Sequence, residues 1–92
     1  MIRSFKHKGL ERFFFSGSKK GILPEHADKI ARILDRLDAS SSPIDMNLPG
    51  YRLHELKGKE AGIWAVMVNA NWRITFEFEG QNVFFVDYRD YH

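Results

Sequence analysis

The sequence predicts an α+β fold of order β-α-α-β-β-β, an antiparallel-rich sheet with two helices packed on one face. Two observations carry this. Up to Leu37 the apolar residues recur at helical spacing, whereas after Gly50 the period becomes two. Between these regimes lies "SSSPIDMNLPG" at 40–50, a loop by its serines, prolines and glycine. The strands beyond it follow one another through short turns, which suits antiparallel pairing. A chain of 92 residues without repeats or low-complexity tracts is read as one domain, 1–92.

Each element has its own signal. "IRSF" at 2–5 is expected to form a first strand with Ile2 and Ser4 on one face. In "HKGLERFFFSGSKKG", Leu10, Phe13 and Phe14 follow helical spacing, and Gly17 then Gly21 can stop a short helix. The clearest helix starts at Pro24, a residue suited to a first turn because its missing donor has no helical partner there. Ala27, Ile30, Ala31, Leu34 and Leu37 form its apolar stripe. Glu25–Lys29 and Asp28–Arg32 pair at four-residue spacing on the charged side. "YRLHEL" reads as a strand with Tyr51, Leu53 and Glu55 on one face and Arg52, His54 and Leu56 on the other. "GIWAVMV" is apolar on both faces, as in a sheet interior. After the tight "NAN" connection, "WRITFEF" turns Trp72, Ile74, Phe76 and Phe78 inward and Arg73, Thr75 and Glu77 toward an open face. "EGQN" is a turn, and "VFFVDY" is the last strand.

Composition narrows the chemistry. The absence of cysteine rules out disulfides and thiolate metal sites. The opening "MIRSFKHKGLERFFF" has neither an apolar run long enough to span a bilayer nor a secretory cleavage pattern. The expectation is a cytoplasmic protein with no membrane partner. The net charge of +2 is divided unevenly: residues 1–36 hold nine Lys/Arg against four Asp/Glu, and residues 37–92 hold five against eight. The early excess, which includes Arg3, Lys6, Lys8, Arg12, Lys19 and Lys20, suits a polyanion, although a solvated helix face has the same composition.

Seven residues of the strand half have the right chemistry to cleave RNA. His54 stands on the first strand of the meander, and Lys57 follows it at the start of "KGKEAG". Asn71 and Arg73 begin the meander's third strand and share a face. Asp90, Tyr91 and His92 close the chain, with Asp90 and His92 of equal parity. Attack by a 2′-hydroxyl requires a base for its proton, an acid for the leaving 5′-oxygen and cations for the charge gathering on phosphorus. Histidine serves either proton role near neutral pH. Arg73 and Lys57 can hold the charge, and Tyr91 can stack on a base or lend its hydroxyl. His7 and His26 are given no chemistry, His26 because it falls on the charged side of its helix. Spacing alone leaves the other residues readable as ordinary surface groups.

"YRLHELKG", "GIWAVMVNANWRITFEF" and "VDYRDYH" resemble the HigB-type toxins of the RelE/ParE superfamily, and "MIRSFKHKGLERFF" fits the same pattern. The resemblance runs nearly end to end, and the ordered set L-H-x-L-K-G, N-x-N-W-R-I and D-Y-H is far more specific than D-Y-H alone. It implies a RelE/ParE-like fold and a ribosome-dependent endoribonuclease that cuts messenger RNA in the decoding site without a metal or other cofactor. The family's functional residues fall on His54, Lys57, Asn71, Arg73, Asp90, Tyr91 and His92. Glu55 stands where relatives often carry proline. His92 is then expected to act as general acid, with His54 or Asp90 as base. Lys6, Lys8, Arg12, Lys19 and Lys20 are expected to contact ribosomal RNA. The implied partners are the 70S ribosome with its messenger and a helix-turn-helix, HigA-like antitoxin from the neighbouring gene, through which alone operator DNA is bound. The rival is a non-enzymatic, ParE-like gyrase poison of the same fold, which has no use for His54, Asp90 and His92.

Overall fold

A computed structural model describes residues 1–91. Its elements are α1 (Lys8–Ser16), α2 (Ala27–Ala39), β1 (His54–Glu55), β2 (Ile63–Met67), β3 (Trp72–Glu79) and β4 (Asn82–Asp90), with short 3₁₀ turns at Pro24–His26, Pro43–Met46 and Gly58–Glu60. The sheet runs β1-β2-β3-β4, every neighbouring pair antiparallel. The expected first strand at 2–5 is reduced to single parallel bridges from Ile2 to Val83 and from Phe5 to Val86, which lay the N-terminal segment along β4. Main-chain bonds at both bridges hold it there, including Arg3 N–H to Val83 O at 2.7 Å and Lys6 N–H to Val86 O at 2.8 Å.

The helix signals have clear local causes. The His7 ring accepts from the Leu10 N–H at 3.1 Å and caps α1. Gly17 ends it in the left-handed region at φ 77, donating to the Phe13 carbonyl. Gly9 is needed for close approach: a Cβ there would stand 2.8 Å from the His7 ring and 3.2 Å from the Lys20 carbonyl oxygen. Loop 40–50 is more ordered than its composition suggests, since Ser42 and Asp45 form a reciprocal cap on the Pro43–Met46 turn.

Both helices cover one face. Leu10 of α1 and Ile30, Ile33, Leu34 and Leu37 of α2 pack with Val66, Ile74, Phe76 and Val86 in one core. Ile33 belongs to this core, while Ala31, expected in the stripe, is only half-buried. The far face is less open than expected: Ala65 and Thr75 point to it and are buried. Glu60 reaches across to Arg89 at 2.6 Å, which draws the Gly58–Glu60 turn toward that side. A bulge between Thr75 and Glu77 shifts the register with β4 and leaves Phe85 exposed at φ 57.

Candidate active site

β1 is two residues long because Arg52 interrupts "YRLHEL" with a left-handed backbone, φ 50. That turn has a chemical consequence. The Arg52 carbonyl oxygen lies 3.1 Å from Nδ1 of His54. A carbonyl can only accept, so the neutral ring carries its proton on Nδ1 and keeps its lone pair on Nε2. His54 is exposed, so this basic nitrogen is open to a substrate. After it, the Glu55 carboxylate accepts from the Gly62 N–H at 2.9 Å, closing the turn that carries Lys57. Lys57 itself is exposed.

Register tells which predicted residues share a face. His54 pairs with Ala65, and Ala65 with Thr75, so all three project from the far side of the sheet. Arg73 lies two residues before Thr75 and pairs with Met67 and Arg89 on that same side. The Cα atoms of His54 and Arg73 are thus two strands across and two residues along, roughly 12 Å apart. Tyr91 joins them: the Arg73 guanidinium carbon sits 5.5 Å above its ring. Asn71 binds the Tyr91 N–H through its carbonyl, so the start of β3 holds the end of β4. Asp90 takes the opposite parity. It pairs with Trp72, next to the Ile74–Tyr88 pair of the helix-covered face. Asp90 and Arg73 are therefore of opposite strand parity. His92 lies outside the described residues.

Arg73 is divided between two tasks. One terminal nitrogen donates to the carbonyls of Asn69 at 2.7 Å, Trp72 at 3.1 Å and Ala70 at 3.3 Å. The Nε–H and the other terminal nitrogen supply the remaining donors. Lys29 of α2 was not foreseen. It lies 5.7 Å over the Tyr51 ring, and its pKa is lowered by burial and then by the positive charges of Arg32 and Arg73. Both ion pairs formed among the described residues belong instead to Arg89, with Glu60 and Asp87.

His26 is the larger correction. It is buried, not on a solvated helix face. Its Nδ1 lies 2.6 Å from the Tyr88 hydroxyl and its Nε2 2.7 Å from Asn69 Nδ2. Burial raises the Tyr88 pKa, opposed by a hydrogen bond from the Leu23 backbone and reinforced by Glu25 and Asp90. No side-chain spacing signals this network, because it joins residues far apart in the chain.

The five basic residues expected to meet ribosomal RNA are all exposed. Arg12 of α1 lies beside the loop holding Lys19 and Lys20, its guanidinium 4.0 Å from where a Cβ on Gly21 would stand. Lys6 instead lines an open hollow of about 530 Å³ with Phe5, Ile63, Thr75, Phe85 and Arg89. That hollow contains none of the proposed catalytic residues, so its size says nothing of the chemistry. Among the described residues, no group of three or more His, Cys, Asp or Glu is placed to hold a metal, and no helix is long and apolar enough to cross a membrane.

Comparison with known proteins agrees with this architecture. The chain is 41% identical over 92 residues to the Endoribonuclease HigB of Proteus vulgaris, covering all of both. Its fold resembles that of a YoeB/ParE toxin from Agrobacterium tumefaciens, with TM-score 0.67, 15% identity and coverage of 99% of this chain and 98% of the other. It also resembles a mutant of YafQ from E. coli, with TM-score 0.59, 15% identity and coverage of 98% and 93%. At such identities these two likenesses bear on the fold alone. The family model described as RelE-like toxin of type II toxin-antitoxin system HigB matches residues 3–92. The chain therefore belongs to the HigB-like family of RelE-like toxins, and by that membership it has an antitoxin as its partner.

Proposed function

We propose that this toxin is a cytoplasmic endoribonuclease that cuts messenger RNA in the decoding site of a translating 70S ribosome, by attack of the 2′-hydroxyl and without a metal. The name of the Proteus vulgaris relative supports the activity. The observation that carries the mechanism is the His54 ring: Nδ1 against the Arg52 carbonyl and Nε2 exposed on the side of the sheet that bears Arg73 and Tyr91. Nε2 takes the 2′-hydroxyl proton. The 2′-oxygen then bonds to phosphorus, and the bond from phosphorus to the 5′-oxygen breaks. Arg73 donors hold the equatorial oxygens as charge gathers, with Lys57 and Asn71 as further RNA contacts. His92 gives the leaving 5′-oxygen its proton, and Tyr91 stacks on a base. His54 is taken as the base because its ring projects from the same side of the sheet as Arg73, with Asp90 as the alternative base.

The ribosome requirement has a physical rationale. His54 and Arg73 are separated by two strands on an open surface, so the protein alone constrains the in-line geometry poorly. A codon already splayed on the ribosome brings that ordering with it, and positioning of this kind is worth several powers of ten. Lys6, Lys8, Arg12, Lys19 and Lys20 would grip ribosomal RNA phosphates rather than read sequence. The antitoxin would be a HigA-like helix-turn-helix protein that carries the toxin to operator DNA.

Mapping 5′ ends on ribosome-bound messenger, with wild type and His54→Ala, tests the reading. Cuts within translated codons that vanish in the variant support it. Gyrase-dependent DNA breaks without messenger cuts would replace it with the gyrase-poison reading.

A further inference from the structure

We infer that His26 is a positioning residue for Arg73: held with its proton on Nδ1 between Tyr88 and Asn69, it anchors the β2–β3 turn whose carbonyls aim the guanidinium. The proposed cleavage enters only in making Arg73 a phosphate contact.

The hydrogen bonds leave little freedom. Asn69 Oδ1 accepts from the main-chain N–H groups of Asn71 at 2.9 Å and Trp72 at 3.0 Å. Those donors settle which end of the amide is oxygen, so the end facing His26 is the NH₂ group. It can only donate, across 2.7 Å, to Nε2. Nε2 must then hold a lone pair, and the ring proton is on Nδ1, where it is donated to the Tyr88 oxygen at 2.6 Å. The ring is enclosed edge-on by Trp72 and Tyr88, at centroid distances of 5.9 and 6.0 Å. A buried ring so enclosed has one orientation available.

The coupling to Arg73 runs through Asn69. Its side chain is tied to His26 and to the two amides, and its own carbonyl makes the shortest bond to the Arg73 terminal nitrogen, 2.7 Å. The peptide plane carrying that carbonyl follows from the side-chain bonds on either side of it. Without His26 the exposed turn keeps its internal bonds but loses its tie to the start of α2. Arg73 would then sample a wider range of directions over Tyr91.

Two measurements on the full chain decide this. Long-range ¹H–¹⁵N correlation of the wild type should show His26 protonated on Nδ1 alone, and the Arg73 Nε–H signal should report a restrained side chain. Asn69→Ser keeps an oxygen for the turn amides but cannot reach His26, and it changes an exposed position. It should loosen the Arg73 signal, as should His26→Leu wherever that variant folds. In single-turnover cleavage, Asn69→Ser should slow the rate by ~10- to 100-fold at unchanged ribosome affinity. The same change in an Arg73→Ala background should cost less than about 2-fold, because the group it positions is gone. A His26 proton on Nε2, an unaltered Arg73 signal or equal losses in both backgrounds would overturn the inference. Wild-type protein that cuts no messenger would refute the proposed function instead, and the spectra would still decide the role of His26.

Discussion

Arg73→Lys separates charge from geometry at the site. A guanidinium has five N–H donors, and two of them, on one nitrogen, serve the carbonyls of Asn69, Ala70 and Trp72. Three donors remain for a phosphate, two of them parallel. A lysine ammonium keeps the charge but concentrates its donors at one point, so it meets the turn or the RNA but not both. If it turns to the carbonyls, the transition state loses its fork, a loss of about 10²–10³ in kcat by analogy with removal of an oxyanion donor. If it turns to the RNA, the carbonyls, two of them on exposed residues, return to water, which costs at most about 1 kcal/mol net. For a domain of this size that lowers Tm by up to roughly 4–8 °C. The expected result is a cleavage rate on ribosome-bound messenger reduced about 10²-fold or more, or, where the lysine turns to the RNA, a smaller rate loss with the lowered Tm, in either case with ribosome affinity near that of wild type. Single-turnover primer extension together with a thermal melt reads both quantities. A lysine variant within about 3-fold of the wild-type rate and with an unchanged Tm would refute the division of labour assigned to Arg73.

Other expectations follow from the same geometry. His54→Ala should lower cleavage by about 10²–10⁴-fold, and Asp90→Asn by less, because Asp90 lies on the other parity of the sheet; equal losses would return the base to an open choice. Lys19→Ala with Lys20→Ala should weaken ribosome binding more steeply as salt rises and leave the cut position unchanged, as phosphate contacts require; a flat salt titration counts against it. In alkali two groups pull oppositely. Lys29 has a lowered pKa when folded, so between that value and 10.5 the unfolded chain holds the extra proton and stability rises with pH. Tyr88 has a raised pKa when folded, so above 10.0 the folded chain holds the extra proton and stability falls. Urea melts across this range should show Lys29→Gln losing stability more steeply than wild type and Tyr88→Phe less steeply; the reverse order would contradict both assignments.

Period and punctuation made most of the scaffold legible. Clean alternation at 72–78 located β3, and a proline at 24 located the start of the second helical segment. What escaped depends on residue type or on small departures from ideal geometry. His26 lies four, seven and eleven residues before Ile30, Ile33 and Leu37, so the helical period already carries the buried stripe back to it; its polar residue type, not its spacing, hid its place in the core. Residues 2–5 have the alternation of a strand but meet β4 only at two points, since the bulge near Phe85 breaks the edge they run along. Thr75 points to the far face as its parity requires, yet it is buried there, on the side where Glu60 reaches Arg89 from 29 residues away in sequence. At the site, the residues sharing the Arg73 side followed from parity, while the left-handed Arg52 that orients His54 carries no residue signal: arginine is not a type that favours φ above zero.

The charge arrangement at the sheet end is itself informative. Fourteen Lys/Arg and twelve Asp/Glu leave enough carboxylates for most cations to find a partner, yet both ion pairs among the described residues go to Arg89. Lys29, by contrast, lies close enough to Arg32 and Arg73 for their charges to lower its pKa. Aromatic rings lie near two of these cations, Tyr51 under Lys29 and Tyr91 under Arg73. Beneath them the stacked pair of Trp72 and Tyr88, 4.5 Å between centroids, and the His26–Asn69 link make the arrangement stiff. A gyrase poison would need neither the exposed imidazole nitrogen of His54 beside this cluster nor a buried histidine fastened beneath it.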